Sequence, residues 1–316
     1  MDSIVRLRKD DLAPSERHAH RRRLVPAAPD EVSWRPNPPR VLTDPGLLRA
    51  VDLFETNMSQ AIDVETMAAR ADLSLFHFIR KFHEEMGEPP AHYIRRQRLE
   101  FAATMICRCN LGLLEAALLA GYQSQAAFTR AFAKHFGCPP GQLRDHAIAS
   151  MPPLRPIHRD YARITMPSFQ PGTRLIAMRF HGPYSEVPQH WQRFAADLRD
   201  SGLNLDATKA IGVYADDPGF TNPAAIRYDC AILDEGASEH LIRAPLRRLE
   251  LATGLYASAF VVDQYTMTSE AIYGICAYWL GQNRRHLRLS AAYELYETPP
   301  WDIAVPLRLR TLVPLQ

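Results

Sequence analysis

The sequence predicts two domains of different class: an all-α double helix-turn-helix domain, then an α+β domain with pseudo-twofold repeated strand–helix units. Three observations carry this. The hydrophobic period is helical from Leu47 to about His146 and changes towards alternation after the proline-rich stretch "SMPPLRPIHRDYARITMPSFQPG". Seven residues of the helical half recur without a gap at an offset of 50, Ser74, Phe78, Arg80, Phe82, Gly87, Pro89 and Pro90 returning as Ser124, Phe128, Arg130, Phe132, Gly137, Pro139 and Pro140. A weaker repeat relates "TRLIAMRFHGPYSEVPQHWQRFAADL" to "GLYASAFVVDQYTMTSEAIYGICAYWL". Each copy reads as strand, short turn with Tyr184 or Tyr265, and amphipathic helix carrying Trp191 or Trp279.

The elements follow in order. Residues 1–40 mix Arg, Pro and short polar runs without a sustained period, which predicts an irregular arm with no assigned fold. Residues 41–149 form the helical domain, through "GLLRAVDLFETNM", "DVETMAARA", "SLFHFIRKFHEEM", "PPAHYIRRQRLEFAATMICR", "LGLLEAALLA" and "GYQSQAAFTRAFAKHFGCPP", joined by short connections rich in Gly, Asp or Pro. Residues 150–169 are the linker. Residues 170–316 supply the strands "TRLIAMRF", "KAIGVY", "IRYDCAIL", "LELATGLYASAFVV", "SAAYELYE" and "DIAVPLRLR", interrupted by two helical stretches.

Composition sets the outer bounds. A chain of 316 residues, 47% hydrophobic and 23% charged, suits a soluble protein of about two domains. It has no apolar run of the roughly 18 residues that a membrane span needs, and its first residues lack the apolar centre of a secretory signal, so the expected location is the cytoplasm with no membrane partner. The five cysteines are odd in number and scattered, predicting reduced thiols. Cys107, Cys109 and His92 lack the second ligand pair of a metal site, no Gly-rich phosphate loop or nucleophile elbow occurs, and His181 reads as a turn residue, so neither a metal nor a cofactor is expected. Residues 41–150 carry 11 basic and 12 acidic groups and residues 151–316 carry 17 of each. Any nucleic-acid binding must therefore come from the placement of Arg and Lys rather than from net charge.

Each copy of the offset-50 repeat has a short helix ("VETMAARA", "LLEAALLA"), a tight turn ("ADL", "AGY") and a serine placed to cap a second helix. In those second helices Phe78 and Phe82, or Phe128, Phe132 and Phe136, form the buried stripe. Phe76, His77, Arg80 and Lys81, or Ala126, Thr129 and Arg130, are left outside. Short side chains near the N-terminus with an arginine one turn later suit a helix entering a major groove, where glutamine pairs with adenine and arginine with guanine. Paired helical hairpins with a solvated arginine fit the same pattern.

On these residues, and on "GYQSQAAFTRAFAKHFGCPP" above all, the stretch 60–145 resembles the AraC-type DNA-binding domain. The resemblance implies two helix-turn-helix units joined by the long helix "PPAHYIRRQRLEFAATMIC" and docked about one turn of double-stranded promoter DNA apart. It also implies RNA polymerase as a further partner. By the resemblance Phe76, Arg80, Gln125, Thr129 and Arg130 face DNA, and Ser74, His77 and Lys81 in the first unit and Ser124 in the second complete the candidate DNA contacts. Phe76 departs from a polar reader and suits a thymine methyl. For Arg95, Arg96 and Arg98, phosphate contact and a solvated helix face are equally open.

In the second half, alternation through "AAYELYETPPWDIAVPL" puts Glu294 and Tyr296 on one strand face and Tyr293, Leu295 and Glu297 on the other. A carboxylate among aromatic rings suits a lipophilic cation, while a surface Glu beside a core Tyr satisfies the same alternation. With "HGPYSEVPQHWQRF", "AIGVYADDPGFTNPAAIRYDCAI" and "LELATGLYASAFV", this stretch resembles the GyrI-like effector-binding domain over residues 170–310. That resemblance implies a small-molecule effector in a cleft containing Glu294, with Tyr228, Trp191, Tyr256 and Tyr296 as walls. "VVDQY" departs from the histidine-glycine-proline turn at the equivalent place. The expectation is a transcription regulator rather than an enzyme. Two alternatives stay open for the second domain, a small-molecule hydrolase using Glu294 as general base and a protein-partner-binding module.

Overall fold

A computed structural model describes residues 38–149 except 59, then 163–165, and 172–316 except 204, 206, 207, 253, 263–265, 286 and 289. The predicted arm up to residue 37, most of the linker and Tyr265 lie outside the described residues. Contacts divide the chain into two compact units: one draws on Arg21–Pro152 together with Asp216–Ile226, the other on Pro153–Ala215 and Arg227–Gln316.

The first unit is helical: α1 (Pro45–Thr56), α2 (Val64–Arg70), α3 (Leu75–Met86), α4 (Pro90–Arg108), α5 (Leu113–Leu119), α6 (Gln125–Phe136) and α7 (Pro140–Ala149). Its repeat is visible atom by atom. Ser74 Oγ accepts the His77 amide at 3.4 Å and Ser124 Oγ the Ala127 amide at 3.2 Å, so each serine caps its helix as the spacing predicts. Gly87 and Gly137 close the same helices with φ of 70° and 74°, a conformation open to glycine because it has no Cβ. The turns before them match as well, Leu73 N donating to Ala68 O and Tyr122 N to Ala117 O. Phe78 and Phe82 pack with Phe54 and Tyr93 in one core, and Phe128, Phe132 and Phe136 with Leu99, Ile106 and Leu143 in another. The long α4 contributes to both, so the two helix-turn-helix units share one rigid member.

The second unit is an eight-stranded, wholly antiparallel sheet in the order β1-β6-β8-β7-β3-β4-β2-β5. The strands are β1 (Arg163–Thr165), β2 (Arg174–His181), β3 (Ala210–Tyr214), β4 (Arg227–Leu233), β5 (Arg247–Glu250), β6 (Tyr256–Val262), β7 (Ala292–Tyr296) and β8 (Arg308–Pro314). β1 falls inside the stretch read as linker. Helix α8 (Val187–Asp200) follows β2, and α9 (Thr266–Gly274) follows β6.

Register fixes which side chains share a face, because directly paired residues point the same way and neighbours alternate. Gly212 pairs with both Cys230 and Glu294, and Glu294 with Thr311. Tyr228, Gly212, Glu294 and Tyr296 therefore share one face. The other face carries an apolar cluster that includes Ile211, Ala231, Tyr256, Tyr293 and Leu312. It also holds Asp229, chelated by Arg179 at 2.7 and 2.9 Å and by Arg247 at 2.9 Å. Burial pushes the Asp229 carboxyl up, and the two guanidinium groups more than reverse this, leaving it below its ordinary value.

Candidate functional site

On the helical unit, α3 and α6 present the predicted residues to solvent. Ser74, Phe76, His77 and Arg80 of the first helix-turn-helix are exposed, as are Ser124, Gln125, Ala126 and Arg130 of the second, with Thr129 half-buried. Phe76 is 80% exposed, and Leu75 and Ile79 flank it at 39% and 40%, so the outer face of α3 carries an apolar patch beside His77 and Arg80 that α6 lacks. Alternation of helical faces alone had not singled out Leu75 and Ile79. Lys81 is half-buried and ion-pairs with Asp44, the side chain that caps α1, so it ties α1 to α3.

The arginines of α4 are also accounted for inside the unit. Arg96 is 7% exposed and ion-paired to Glu88 at 2.5 Å and Glu100 at 3.0 Å, so it is a core ion rather than a phosphate contact. Arg98 donates to the carbonyls of Met58, Gln60 and Ile62. Arg95 remains exposed.

On the sheet unit, the face shared by β4, β3 and β7 gathers an acid inside an aromatic shell. Tyr228 Oη donates to Glu294 Oε2 at 2.6 Å and Tyr296 Oη to the same oxygen at 2.8 Å, while Trp191 Nε1 of α8 donates to Tyr296 Oη at 3.1 Å. Each of these three donors has one proton, and the Tyr228 and Tyr296 hydroxyls lie 2.9 Å apart, so the four side chains form one hydrogen-bonded cluster. All four side chains are buried, Glu294 to 3% exposure and Trp191 completely. Burial pushes the Glu294 carboxyl up, and the hydrogen bonds from Tyr228 and Tyr296 offset this only in part, so it stays above its ordinary value. A carboxylate in this state favours any cation that can reach it without bringing its hydration shell.

The shell has an outer rim that the sequence had not identified. Tyr184 stacks on Tyr214 with centroids 4.2 Å apart and planes at 9°, and its edge meets Tyr228 at 6.2 Å. Trp301 lies 6.1 Å from Trp191. Tyr184, Tyr214 and Trp301 are all partly exposed. The strand-end position of Tyr214 and the turn position of Tyr184 were the available signals. Tyr256, by contrast, is not a wall. It lies on the opposite face of the sheet, 6.0 Å from Tyr293, with Arg288 over its ring. Parity explains this, since Tyr256 and Tyr293 both trace to the Leu312 face of β8.

Gly212 is the floor of the site. A Cβ there would collide with Tyr228 Oη and lie 2.8 Å from Glu294 Oε2. Gly212→Ala is therefore expected to displace the Tyr228–Glu294 hydrogen bond and to destabilise the sheet unit by roughly 1–3 kcal/mol, the cost of overpacking. Urea denaturation checks this, and unchanged stability would show that the close approach relaxes without cost.

Two family models match the chain: a helix-turn-helix domain over residues 67–146 and a GyrI-like small-molecule-binding domain over residues 169–316. The chain is 34% identical over 88 residues to a probable transcription factor, PqrA, of Proteus vulgaris, covering 28% of this chain and 72% of that protein. It is 30% identical over 115 residues to the RCS-specific HTH-type transcriptional activator RclR of Escherichia coli K12, covering 36% of this chain and 40% of the relative. Among solved structures, the DNA-binding domain of AdpA in complex with a target DNA is 28% identical, with a TM-score of 0.33, covering 34% of this chain and 98% of that one. Except for PqrA, these curated relatives are matched over less than half of their own length. With its duplicated, serine-capped helix-turn-helix and the sheet domain that follows, the chain belongs to the AraC-type transcriptional regulators and carries a GyrI-like small-molecule-binding domain.

Proposed function

We propose that this regulator binds promoter DNA through α3 and α6 and that occupation of the Glu294 site by a small lipophilic cation changes its affinity for DNA or its contact with RNA polymerase. The observation that carries the ligand class is the buried Glu294 carboxylate held by two tyrosine hydroxyls within a shell of aromatic rings. Rings offer a cation their negative faces, and the single acid neutralises it, whereas an anion would meet only repulsion. The strand–helix pairs β2/α8 and β6/α9 support reading the domain as a pseudo-twofold repeat, with the ligand entering between its halves. The residues nearest the ligand are then Glu294, Tyr228, Tyr296 and Trp191, with Tyr184, Tyr214 and Trp301 at the entrance.

On the DNA side, the exposed faces support a division of labour. Gln125, Thr129 and Arg130 of α6 suit base edges and phosphates, whereas Phe76 of α3 suits a thymine methyl. Arg130→Ala is expected to cost about 1–3 kcal/mol on the cognate site and to relax specificity at one base pair. A loss of equal size on every sequence would move Arg130 to the phosphate backbone. The proposal as a whole is tested by fluorescence anisotropy with the DNA upstream of the protein's own gene, with and without a panel of lipophilic cations. Specific binding that shifts with a cation in the wild type, and no longer shifts in Glu294→Ala, is the expected result. Specific binding and in vitro transcription that are both indifferent to every cation occupying the site would refute the regulatory reading.

A further inference from the structure

The connection between β3 and β4 packs with the helical unit. Residues Asp216–Ile226 belong to the helical unit, although the chain enters them from β3 and leaves them into β4. Within that unit the segment is built into the second helix-turn-helix. Phe220, 2% exposed, is a member of the core formed by Phe128, Phe132, Phe136 and Leu143, with its ring edge-on to Phe136 of α6 at 6.3 Å. Arg108, the last residue of α4, grips Asp217 through Nε at 2.8 Å and Nη2 at 3.4 Å and lies 5.3 Å over the Phe220 ring. Thr221 Oγ1 donates at 3.1 Å to Glu100 Oε2, the same oxygen that Arg96 holds. The core of the second helix-turn-helix is thus completed by a residue that lies outside the 67–146 match and within the 169–316 one.

The segment is also stiff. Asp217 caps it by accepting the Gly219 amide at 2.7 Å on its side chain and the Phe220 and Thr221 amides on its carbonyl, and Asn222 accepts the Ala224 amide at 3.1 Å. Pro218 and Pro223 remove two further backbone rotations. Its two ends are residues of the aromatic cluster: Tyr214 and Tyr228 are direct Cα partners where β3 and β4 separate. Tyr228 holds Glu294 and Tyr214 stacks on Tyr184. A ligand that parts Tyr214 from Tyr184, or takes Glu294 from Tyr228, moves the roots of a short rigid loop whose tip is fixed between α4 and α6.

We infer that residues 216–226 are the element that couples ligand binding to DNA binding, transmitting rearrangement of Tyr214 and Tyr228 to the α4–α6 junction through Phe220, Asp217 and Thr221. This rests on the reading of the Glu294 cluster as the ligand site. It predicts that the second helix-turn-helix, rather than the first, responds to the ligand, because Asp217 and Thr221 hold α4 and Phe220 packs on α6.

The test uses the full chain, a DNA site bound specifically by the wild type, and tetraphenylphosphonium as the cation. The quantity read is the ratio of DNA Kd with and without saturating cation, expected in the wild type to lie within the about 5- to 150-fold range of ordinary allosteric coupling. In Phe220→Ala the ratio is expected to fall to about one while the cation still binds. Since that variant opens a hole in a core, the paired variant Asp217→Asn/Thr221→Val, which keeps shape while it neutralises the Asp217 end of the Arg108 ion pair and removes the Thr221 donor, is measured beside it. Retention of the wild-type ratio in both variants would overturn the coupling role, as would a wild type that binds the cation with no change in DNA affinity. Should tetraphenylphosphonium fail to bind the wild type, the ligand reading fails by itself, and the coupling is decided by a cycle between Glu294→Gln and Asp217→Asn/Thr221→Val read on DNA Kd alone. Non-additivity beyond about twofold in that cycle supports the segment, and additivity overturns it.

Discussion

Glu294→Gln is expected to bind a lipophilic cation less tightly by about 2–5 kcal/mol, the range measured when one partner of a buried charge pair is truncated. The glutamine carbonyl can still accept from Tyr228 and Tyr296, so the aromatic shell keeps its shape and the loss reports the charge. The same change is expected to stabilise the empty protein at neutral pH. The Glu294 carboxyl is held above its ordinary 4.5 by burial. Its stability contribution is therefore full below pH 4.5 and is lost as pH rises through the raised folded value, so at pH 7 the native state carries the cost of that shift. Glutamine removes that cost, and each kcal/mol recovered raises Tm by about 2–4 °C. Cation affinity in the wild type should also climb with pH across the titration of Glu294, because binding favours the ionised form, and this dependence should flatten in the variant. Thermal melts and cation titrations at several pH values check both halves. A variant that binds as well as the wild type would remove Glu294 from the site, and one that melts earlier at neutral pH would contradict the assigned cost.

Arg96→Met is expected to destabilise the helical unit by about 3–5 kcal/mol, because it leaves two buried carboxylates without their cation. Glu88 is 1% exposed and Glu100 5%, and the methionine supplies volume but no donor. A fall in Tm of roughly 10–20 °C corresponds to that loss in a domain of this size. Its pH dependence has a definite sign. Burial raises the Glu100 carboxyl, and Arg96, His135 and Thr221 more than reverse this, so its folded value lies below 4.5. Its contribution is present above 4.5 and lost as pH falls through the folded value, so the gap between wild type and variant is full at neutral pH and narrows in acid. The triple variant Arg96→Met/Glu88→Gln/Glu100→Gln should recover much of the loss, since neutral amides need no buried cation. Urea denaturation at pH 7 and pH 4 measures the effect. A loss under 1 kcal/mol would show that the cluster is hydrated enough to stand without its arginine.

The sequence by itself determined everything that depends on chain neighbours. The offset of 50 residues, the two capping serines and the two left-handed glycines are local requirements of a helix and its ends, and each appears where its spacing put it. Strand alternation likewise settled that Glu294 and Tyr296 share a face. What alternation cannot supply is the partner across the sheet. The resemblance groups Tyr256 with Glu294 as a wall of the cleft, but only the order β6-β8-β7-β3-β4 shows that it points the other way. Tyr184, Tyr214 and Trp301 enter the site from a turn, a strand end and a loop, which have no periodicity to read. The same limit applies to charge. Arg96 and Lys81 look like solvated or DNA-facing cations along the helix, and only packing brings Glu88, Glu100 and Asp44 to them. It applies most strongly to residues 216–226, whose sequence lies in the second half while their core contacts are formed with α4 and α6. Periodicity encodes the direction of a side chain relative to its own backbone, whereas the neighbour it meets is set by contacts between distant segments, and those exist only once the chain has folded.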